Sequence, residues 1–371
     1  MILLSSIIQR FETEFLAQYQ GSLLPSHRKA LAAMADCRSS ASPAMLAQCS
    51  DCDHQLLVPH SCGHRSCPHC QHHESQQWLE RQLQKQVPAT YFLVTFTLPP
   101  TLRDLAFSHQ RTLYTQMTRC AWHTLKTFAQ NDKQLQGIPG AIAVLHTHSR
   151  RLDYHPHVHL VVPAAAVDAK NRLWRTKRAK GKHPYLFNHK ALAKVFRAKL
   201  LAAITTEGLP LPARYAEKWV VDCQCVGSGE KALVYLGRYL YRGVIRETDI
   251  LACENGQVTF RDTDAKSKRT ETRTVSGADF LWLILQHVLP KGFRRARNFG
   301  FLHPNSKRLI ALLQFLLGVD PSRALAWIKP RPRLACPCCG AAMKIVRTRI
   351  APAFAGPPPV PIGDVLGAAV M

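Results

Sequence analysis

AVLHTHSRRLDYHPHVHLVVP, residues 143–163, is the stretch that decides the reading of this chain. It reads as two strands, Ala141–His148 and His155–Val162, joined by a short link at Ser149–Tyr154. Alternate residues of a strand share a face. His157 and His159, on either side of Val158, therefore point the same way, close enough to share one metal ion. Closing the hairpin symmetrically sets His148 opposite His155 and His146 opposite His157, and directly opposed residues share a face. His146 becomes a candidate third ligand, although a slip of one residue in register would turn it away. Imidazole ligands that leave coordination positions open suit an ion that activates or orients a phosphate.

Working outward, Tyr91–Leu98 (YFLVTFTL) reads as a buried strand and Leu102–Phe128 as a long helix. Beyond the hairpin come a helix at Phe187–Ile204, a strand at Trp219–Val226 and a helix at Glu230–Tyr241. The order β-α-β-β-α-β plus one helix predicts an α+β, ferredoxin-like domain, an arrangement that hosts many functions. The last helix carries ALVYLGRYLYRGVI, residues 232–245. Tyr235 and Tyr239 are four apart and share a helix face. Arg238 and Arg242 lie near that face as candidate DNA-phosphate contacts. A tyrosine phenolate can attack a phosphodiester and form a covalent link, and two side by side allow one link to pass its strand to the other. Tyr241 points elsewhere and reads as packing.

The chain has 371 residues, enough for two or three domains. Lys and Arg number 49 against 24 Asp and Glu, a formal charge of +25. A protein this basic usually meets polyanions, nucleic acid most often. No apolar run reaches the roughly 20 residues that a membrane helix requires, and the N-terminus meets acidic residues too early for a signal peptide. Leu4, Ile7, Ile8, Phe11, Phe15 and Tyr19 fit one helix face instead. The expectation is a cytoplasmic protein without a membrane partner.

Six of the thirteen cysteines lie between Cys37 and Cys70. Cys49-x2-Cys52 is followed, after fourteen residues, by Cys67-x2-Cys70. Two such pairs suit one tetrahedral, structural Zn2+. Cys37, Cys62, His64, His69 and His72 stand nearby, to replace one ligand or build a second site. Cys336-Pro-Cys338-Cys339-Gly340 looks like half a zinc knuckle, with no later cysteine to complete it. Basic runs at Arg172–Lys182, Lys266–Arg273 and Lys291–Arg297 are candidate backbone contacts, and Lys170–Pro184 reads as a flexible insertion or phosphate-contacting loop. The expected domains are 1–88 (helix and zinc module), 89–250 (nuclease), 251–350 (accessory region) and a disordered tail, 351–371. Within the accessory region, weak strands fall near Gln257–Arg261 and Glu271–Val275, and helices at Ala278–Val288 and Lys307–Leu317.

The combination resembles the HUH endonucleases, in which two histidines flank a hydrophobic residue, and among them the two-tyrosine transposases of the insertion sequence 91 family. The resemblance runs from about Cys37 to Gly318. It rests on SCGHRSCPHCQ (61–71), VTFTLPPTLR (94–103), VLHTHSRRLDYHPHVHLVVP (144–163), YLGRYLYR (235–242) and HVLPKGFRRARNFGFLHP (287–304). It implies rolling-circle-like transposition of single-stranded DNA through 5′-phosphotyrosine intermediates. His157 and His159 would hold Mg2+ or Mn2+, Tyr235 and Tyr239 would be the nucleophiles, and an N-terminal domain would bind zinc. A plasmid relaxase or replication initiator shares that chemistry; a non-catalytic zinc-ribbon DNA-binding protein would need neither tyrosine. RNA binding on the sheet would need exposed aromatics, whereas Tyr91, Phe92 and Phe96 lie in a strand that reads as buried.

Overall fold

The computed structural model describes residues 2–39, 41–70, 72–149, 151–178, 184–241, 243–263, 269–328 and 333–351. Its helices are α1 (Leu4–Tyr19), α2 (Pro25–Ala35), α3 (His72–Leu83), α4 (Arg103–Ser108), α5 (Gln110–Asn131), α6 (His189–Thr206), α7 (Glu230–Tyr241), α8 (Gly277–Leu285) and α9 (Lys307–Leu316). Its strands are β1 (Ala44–Cys49), β2 (Gln55–Pro59), β3 (Tyr91–Thr97), β4 (Ile138–His148), β5 (Tyr154–Pro163), β6 (Ala165–Asp168) and β7 (Leu173–Thr176). They continue with β8 (Val221–Cys225), β9 (Ile250–Glu254), β10 (Gln257–Thr263), β11 (Thr270–Ser276), β12 (Ala296–Gly300) and β13 (Met343–Ile350). The chain divides into two units, each assembled from separated stretches. Met1–His72, Tyr241–Val288 and Lys329–Met371 form the first; His73–Leu240 and Leu289–Ile328 form the second. The expected accessory region, 251–350, is thus shared between the two. Of the expected tail, all but Ala351 lies outside the described residues.

Strand alternation organises the second unit. Phe92, Val94 and Phe96 of β3, Ala141, Ala143 and Leu145 of β4, and Val158, Leu160 and Val162 of β5 are buried on one face. They pack there with Leu113, Met117 and Leu125 of α5 and Leu192, Phe196 and Leu200 of α6. Each large apolar side chain so buried contributes roughly 1.5–3 kcal/mol. Tyr91, Phe92 and Phe96 are fully enclosed, so this strand offers no stacking surface to a base. The period of two leaves Thr95, His146, His157 and His159 on the opposite face, which is where the site forms.

Four strands run in the order β8-β3-β5-β4 with antiparallel neighbours. The α+β class expected from the sequence is therefore present, with antiparallel sheets. Beyond β4 the sheet is extended by β12 on part of its edge and by β6 and β7 on the rest. β7 occupies the first part of the segment expected as a loop; residues 179–183 of that segment are not described. The expected long helix after β3 is broken at His109 into α4 and α5. α6 starts two residues later than expected because the Asn188 side chain accepts from Lys190 N and Ala191 N, capping the helix there.

In the first unit, the buried face of α1 is Leu4, Ile7, Ile8, Phe11 and Phe15, the stripe expected from the sequence. Gly277 opens α8 where a Cβ would fall 2.2 Å from the Phe11 ring, so only glycine lets the two helices meet there. Tyr19 stacks on Trp282 of α8 at 4.8 Å and donates to Asp279 at 2.5 Å. β9, β10 and β11 form a meander, and β13, β1 and β2 a separate three-stranded sheet.

Candidate active site and cysteine centres

β4 and β5 pair with His146 opposite His157, the register expected from a symmetric hairpin. His148 pairs with Tyr154 and not, as expected, with His155. The ladder shifts between these pairs, and the extra residue lies on the β5 side, at His155-Pro156. Proline has no N–H to give to a ladder, so a bulge is the natural outcome there. His155 is engaged elsewhere, its Nδ1 accepting from Arg103 Nη2 at 2.6 Å. His146, His157 and His159 bring one ring nitrogen each within 4.8 Å of one another.

Their protonation suits a ligand set. His157 Nδ1 lies 2.7 Å from the His155 carbonyl oxygen, which only accepts, so that nitrogen carries the proton and Nε2 keeps its lone pair. His159 Nδ1 lies 2.8 Å from Thr95 Oγ1, directly across the β3–β5 ladder. His146 is almost wholly buried, and neither ring nitrogen has a hydrogen-bond partner among the described residues. Two buried, unanswered imidazole nitrogens would be costly, and a cation shared with His157 and His159 would answer one of them. Burial holds the His157 imidazole down at about 4, and burial with the neighbouring histidines holds His146 and His159 well below the usual range. All three rings are neutral at physiological pH, the form that ligates metals.

α7 lays both predicted tyrosines against these histidines. Tyr239 stacks on His146 at 4.1 Å and on His148 at 4.9 Å between ring centroids. Tyr235 lies 6.4 Å from both His146 and His159, 5.4 Å from Tyr239, and is 43% exposed. Arg238 is exposed on the same helix, and Arg242 lies outside the described residues. Sequence reading missed Arg295, which it grouped with the DNA-contacting run Lys291–Arg297. Its Nε donates to Leu145 O at 3.0 Å, and its Nη1 donates to Tyr239 O and Leu240 O at 3.3 and 3.5 Å. One guanidinium thus ties the histidine strand to carbonyls that the last turn of α7 leaves without helical donors. Other members of the basic runs are also engaged internally: Arg175 with Asp168, Lys177 with Asp132, and Arg297 with Thr115. Residues 264–268, which include the start of the run Lys266–Arg273, are not described.

The cysteines require a correction. Spacing grouped Cys49, Cys52, Cys67 and Cys70 around one ion, but the structure divides them. Cys67 and Cys70 join Cys37 and Cys62, with Sγ–Sγ distances of 3.5–3.6 Å. Cys49 and Cys52 instead meet Cys336 and Cys339, completing the half-knuckle that the sequence left without a partner. Separation along the chain is a poor guide because β13 returns beside β1. His64 and His69 join neither cluster: His64 Nδ1 accepts from Ser66 N at 3.2 Å, and His69 pairs with Glu247, which raises its pKa. The side chain of His72 is not described.

With this geometry in place, the relatives are informative. A family model described as "Putative transposase" matches residues 140–309, and one described as "Transposase zinc-binding domain" matches residues 7–98. "Putative transposase y4qJ" of Sinorhizobium fredii (strain NBRC 101917 / NGR234) is 31% identical over 341 residues, 85% of this chain and 84% of that protein. The chain belongs to the insertion sequence 91 family of transposases. The "Transposase for insertion sequence element IS801" of Pseudomonas savastanoi pv. phaseolicola is 30% identical over 296 residues, 76% of this chain and 70% of that protein. Among solved structures, a conjugative relaxase TrwC in complex with mutant oriT DNA aligns with 61% of this chain and 74% of that one. At 15% identity and a TM-score of 0.26, that likeness is too slight to say anything about function. This transposase is a DNA endonuclease and strand transferase with a zinc-binding domain. No helix among the described residues is long and apolar enough to cross a membrane.

Proposed function

We propose that this transposase cuts and rejoins single-stranded DNA through 5′-phosphotyrosine links formed by Tyr235 and Tyr239. The observation that carries the reading is the contact of both tyrosines with a three-histidine cluster, with Tyr239 stacked directly on His146. The strand order β8-β3-β5-β4 supports reading the centre of this unit as the ferredoxin-like core of an HUH nuclease. His146, His157 and His159 would hold Mg2+ or Mn2+. When bound, such an ion supplies Lewis-acid polarisation of the scissile phosphate.

The phenolic oxygen of one tyrosine attacks phosphorus, and the bond from phosphorus to the 3′ oxygen breaks. The phenol loses a proton and the departing 3′ oxygen gains one, so the step balances. The phosphate ester bond is conserved in the phosphotyrosine, and rejoining needs no ATP. The second tyrosine cuts the target or the far end, and a free 3′-hydroxyl reverses the attack to complete transfer. His148 and His146 fix the Tyr239 ring by stacking, while Arg295 fixes its backbone. Arg238 and Arg242 are the proposed phosphate contacts beside the tyrosines. Cys37, Cys62, Cys67 and Cys70 are the proposed ligands of the structural zinc in the domain matched at 7–98. The activity places the protein with DNA in the bacterial cytoplasm.

The test is covalent trapping. Labelled single-stranded DNA carrying an element end is incubated with Mn2+ and the wild type, Tyr235→Phe, Tyr239→Phe, the double variant and His157→Ala. A denaturation-resistant adduct lost in the double variant and in His157→Ala is the expected result. Tight, salt-sensitive binding with no adduct would overturn it in favour of a non-catalytic DNA-binding protein. Joining of the cut end to a new target, as opposed to resealing at an origin, separates a transposase cycle from relaxase-like chemistry.

A further inference from the structure

Neither matched family span reaches Cys336 or Cys339, yet these two close a four-thiol cluster with Cys49 and Cys52. We infer that Cys49, Cys52, Cys336 and Cys339 are a second structural zinc centre, which fastens the C-terminal knuckle to the N-terminal one. The spacing is the first support. Cys49 Sγ lies 3.4 Å from Cys339 Sγ, Cys52 Sγ lies 3.7 Å from Cys336 Sγ, and all four fall within 4.8 Å of one another. Zn–S bonds of about 2.3 Å in tetrahedral geometry put sulfurs about 3.8 Å apart, whereas a disulfide needs about 2.05 Å.

The second support is that the two halves are built alike. In each, the N–H of the first cysteine donates to the carbonyl five residues on: Cys49 N to His54 O and Cys336 N to Ala341 O, both at 2.8 Å. In each, the residue after the second cysteine is left-handed, Asp53 at φ 54° and Gly340 at φ 75°. The same turn, made twice and facing itself, presents two pairs of thiols to one point. Ser50 N and Oγ both donate to Ala342 O, and Cys49 pairs with Met343 in the β1–β13 ladder, so backbone contacts hold the halves in register.

The third support is energetic. Among the described residues, Ala47, Cys49, Cys336 and Met343 are buried around this cluster, with Leu56, Val58, Leu334 and Ala341 partly buried against them, and β13 is exposed along nearly all its length. So small a core does not by itself fix a three-stranded sheet. Zinc supplies what the core lacks, as in other small metal-held modules. The consequence is that the module begun by Cys49 and Cys52 is complete only once the chain through Cys339 has been made.

The full-length protein decides the matter. Metal analysis should find one zinc fewer per chain in the Cys336→Ser/Cys339→Ser variant than in the wild type; an unchanged content overturns the inference. Should that variant fail to fold, thiol footprinting of the zinc-loaded wild type decides. Cys338 and Cys339 are adjacent and both exposed. Cys339 and the exposed Cys52 should be alkylated by N-ethylmaleimide at least about tenfold more slowly than Cys338, and a chelator should abolish that protection at both positions together. Equal rates for Cys338 and Cys339 in the zinc-loaded protein would overturn the inference.

Discussion

The cysteine clusters of the first unit and the histidine cluster of the second are both sets of ligand atoms drawn within 4.8 Å, and they are built for opposite ends. Four thiols surround each cysteine point, leaving no coordination position for anything else. Three neutral imidazoles converge in the histidine set, with two tyrosines packed beside it. A closed tetrahedron holds chain together, whereas an incomplete set leaves room for a phosphate. The surroundings agree. The second unit has a large apolar core, and the β13-β1-β2 sheet has a small one. In this reading, metal takes the place of a core only in the small β13-β1-β2 sheet, while α1 and α8 of the same unit pack on apolar side chains, and metal in the second unit would work on a substrate.

The sharpest way to break that contrast is to remove one ligand from each kind of site. His157→Ala should abolish Mn2+-dependent adduct formation, a loss on the order of a thousandfold or more given the several kcal/mol that Lewis-acid stabilisation supplies. Its thermal unfolding should stay close to that of the wild type, because the core of the second unit is untouched. Cys67→Ser should do the reverse to the first unit. It should release zinc and destabilise that unit by several kcal/mol, as read by zinc content and by proteolysis between residues 37 and 70. If the histidine variant unfolds, or the cysteine variant keeps its zinc, the division of labour is wrong.

Acid should separate the sites next. The folded His157 imidazole is held at about 4 by burial, and the unfolded value is near 6.5. A depressed folded pKa means that the unfolded chain takes up the proton first. The metal-free second unit should therefore be fully stable above about pH 6.5 and lose stability as pH falls from there through about 4. His146 and His159, shifted the same way, add to the slope. Mn2+ affinity measured between pH 8 and 6 should stay nearly flat, since protons do not yet compete for these rings. A steep fall in affinity beginning at pH 7 would show that the imidazoles are ordinary and solvated.

How much of this was legible in the sequence depends on how far apart the partners are along the chain. The histidine site is carried by one hairpin and one helix, and periods of two and four residues place His146, His157, His159, Tyr235 and Tyr239 on facing surfaces. The part that went astray, His148 opposite His155, turned on Pro156 and the bulge at that proline. The cysteine pairing was not legible, because β13 must return almost the length of the chain before Cys336 and Cys339 reach Cys49 and Cys52. Nearness in sequence favoured Cys67 and Cys70 instead. Arg295 hid within a basic run, where charge suggests DNA and only the fold reveals the carbonyls of Leu145, Tyr239 and Leu240.

Arg295 gives a smaller but more discriminating effect. Arg295→Met should lower the adduct-forming rate at saturating DNA by roughly ten- to a hundredfold, the scale expected for misplacing a nucleophile by about an ångström. DNA affinity should change little if the side chain works on α7 and β4. Arg295→Lys should rescue only partly, because one ammonium cannot fork between the strand and the helix end as a guanidinium does. A loss in affinity with an unchanged rate would return Arg295 to the DNA-contacting run.

The smallest effect should come from Thr95, which in this reading acts only through His159. Its hydroxyl meets His159 Nδ1 at 2.8 Å across the ladder, and with the proton on Nδ1 the lone pair is directed onto Nε2. Outer partners of this kind are worth about ten- to a hundredfold in metal affinity. Thr95→Val keeps the side-chain shape, leaves the β3 backbone pairing intact and removes only the hydroxyl, so a weakening near tenfold is expected for Mn2+. Thr95→Ser, which retains the hydroxyl, should sit near the wild type. Because the substitution leaves all three imidazoles in place, saturating Mn2+ should restore the rate of adduct formation, which it should not do for His157→Ala. A Thr95→Val protein whose rate stays low at any Mn2+ concentration would mean that the hydroxyl acts on the reaction itself. The histidine site would then include a fourth working group contributed by β3.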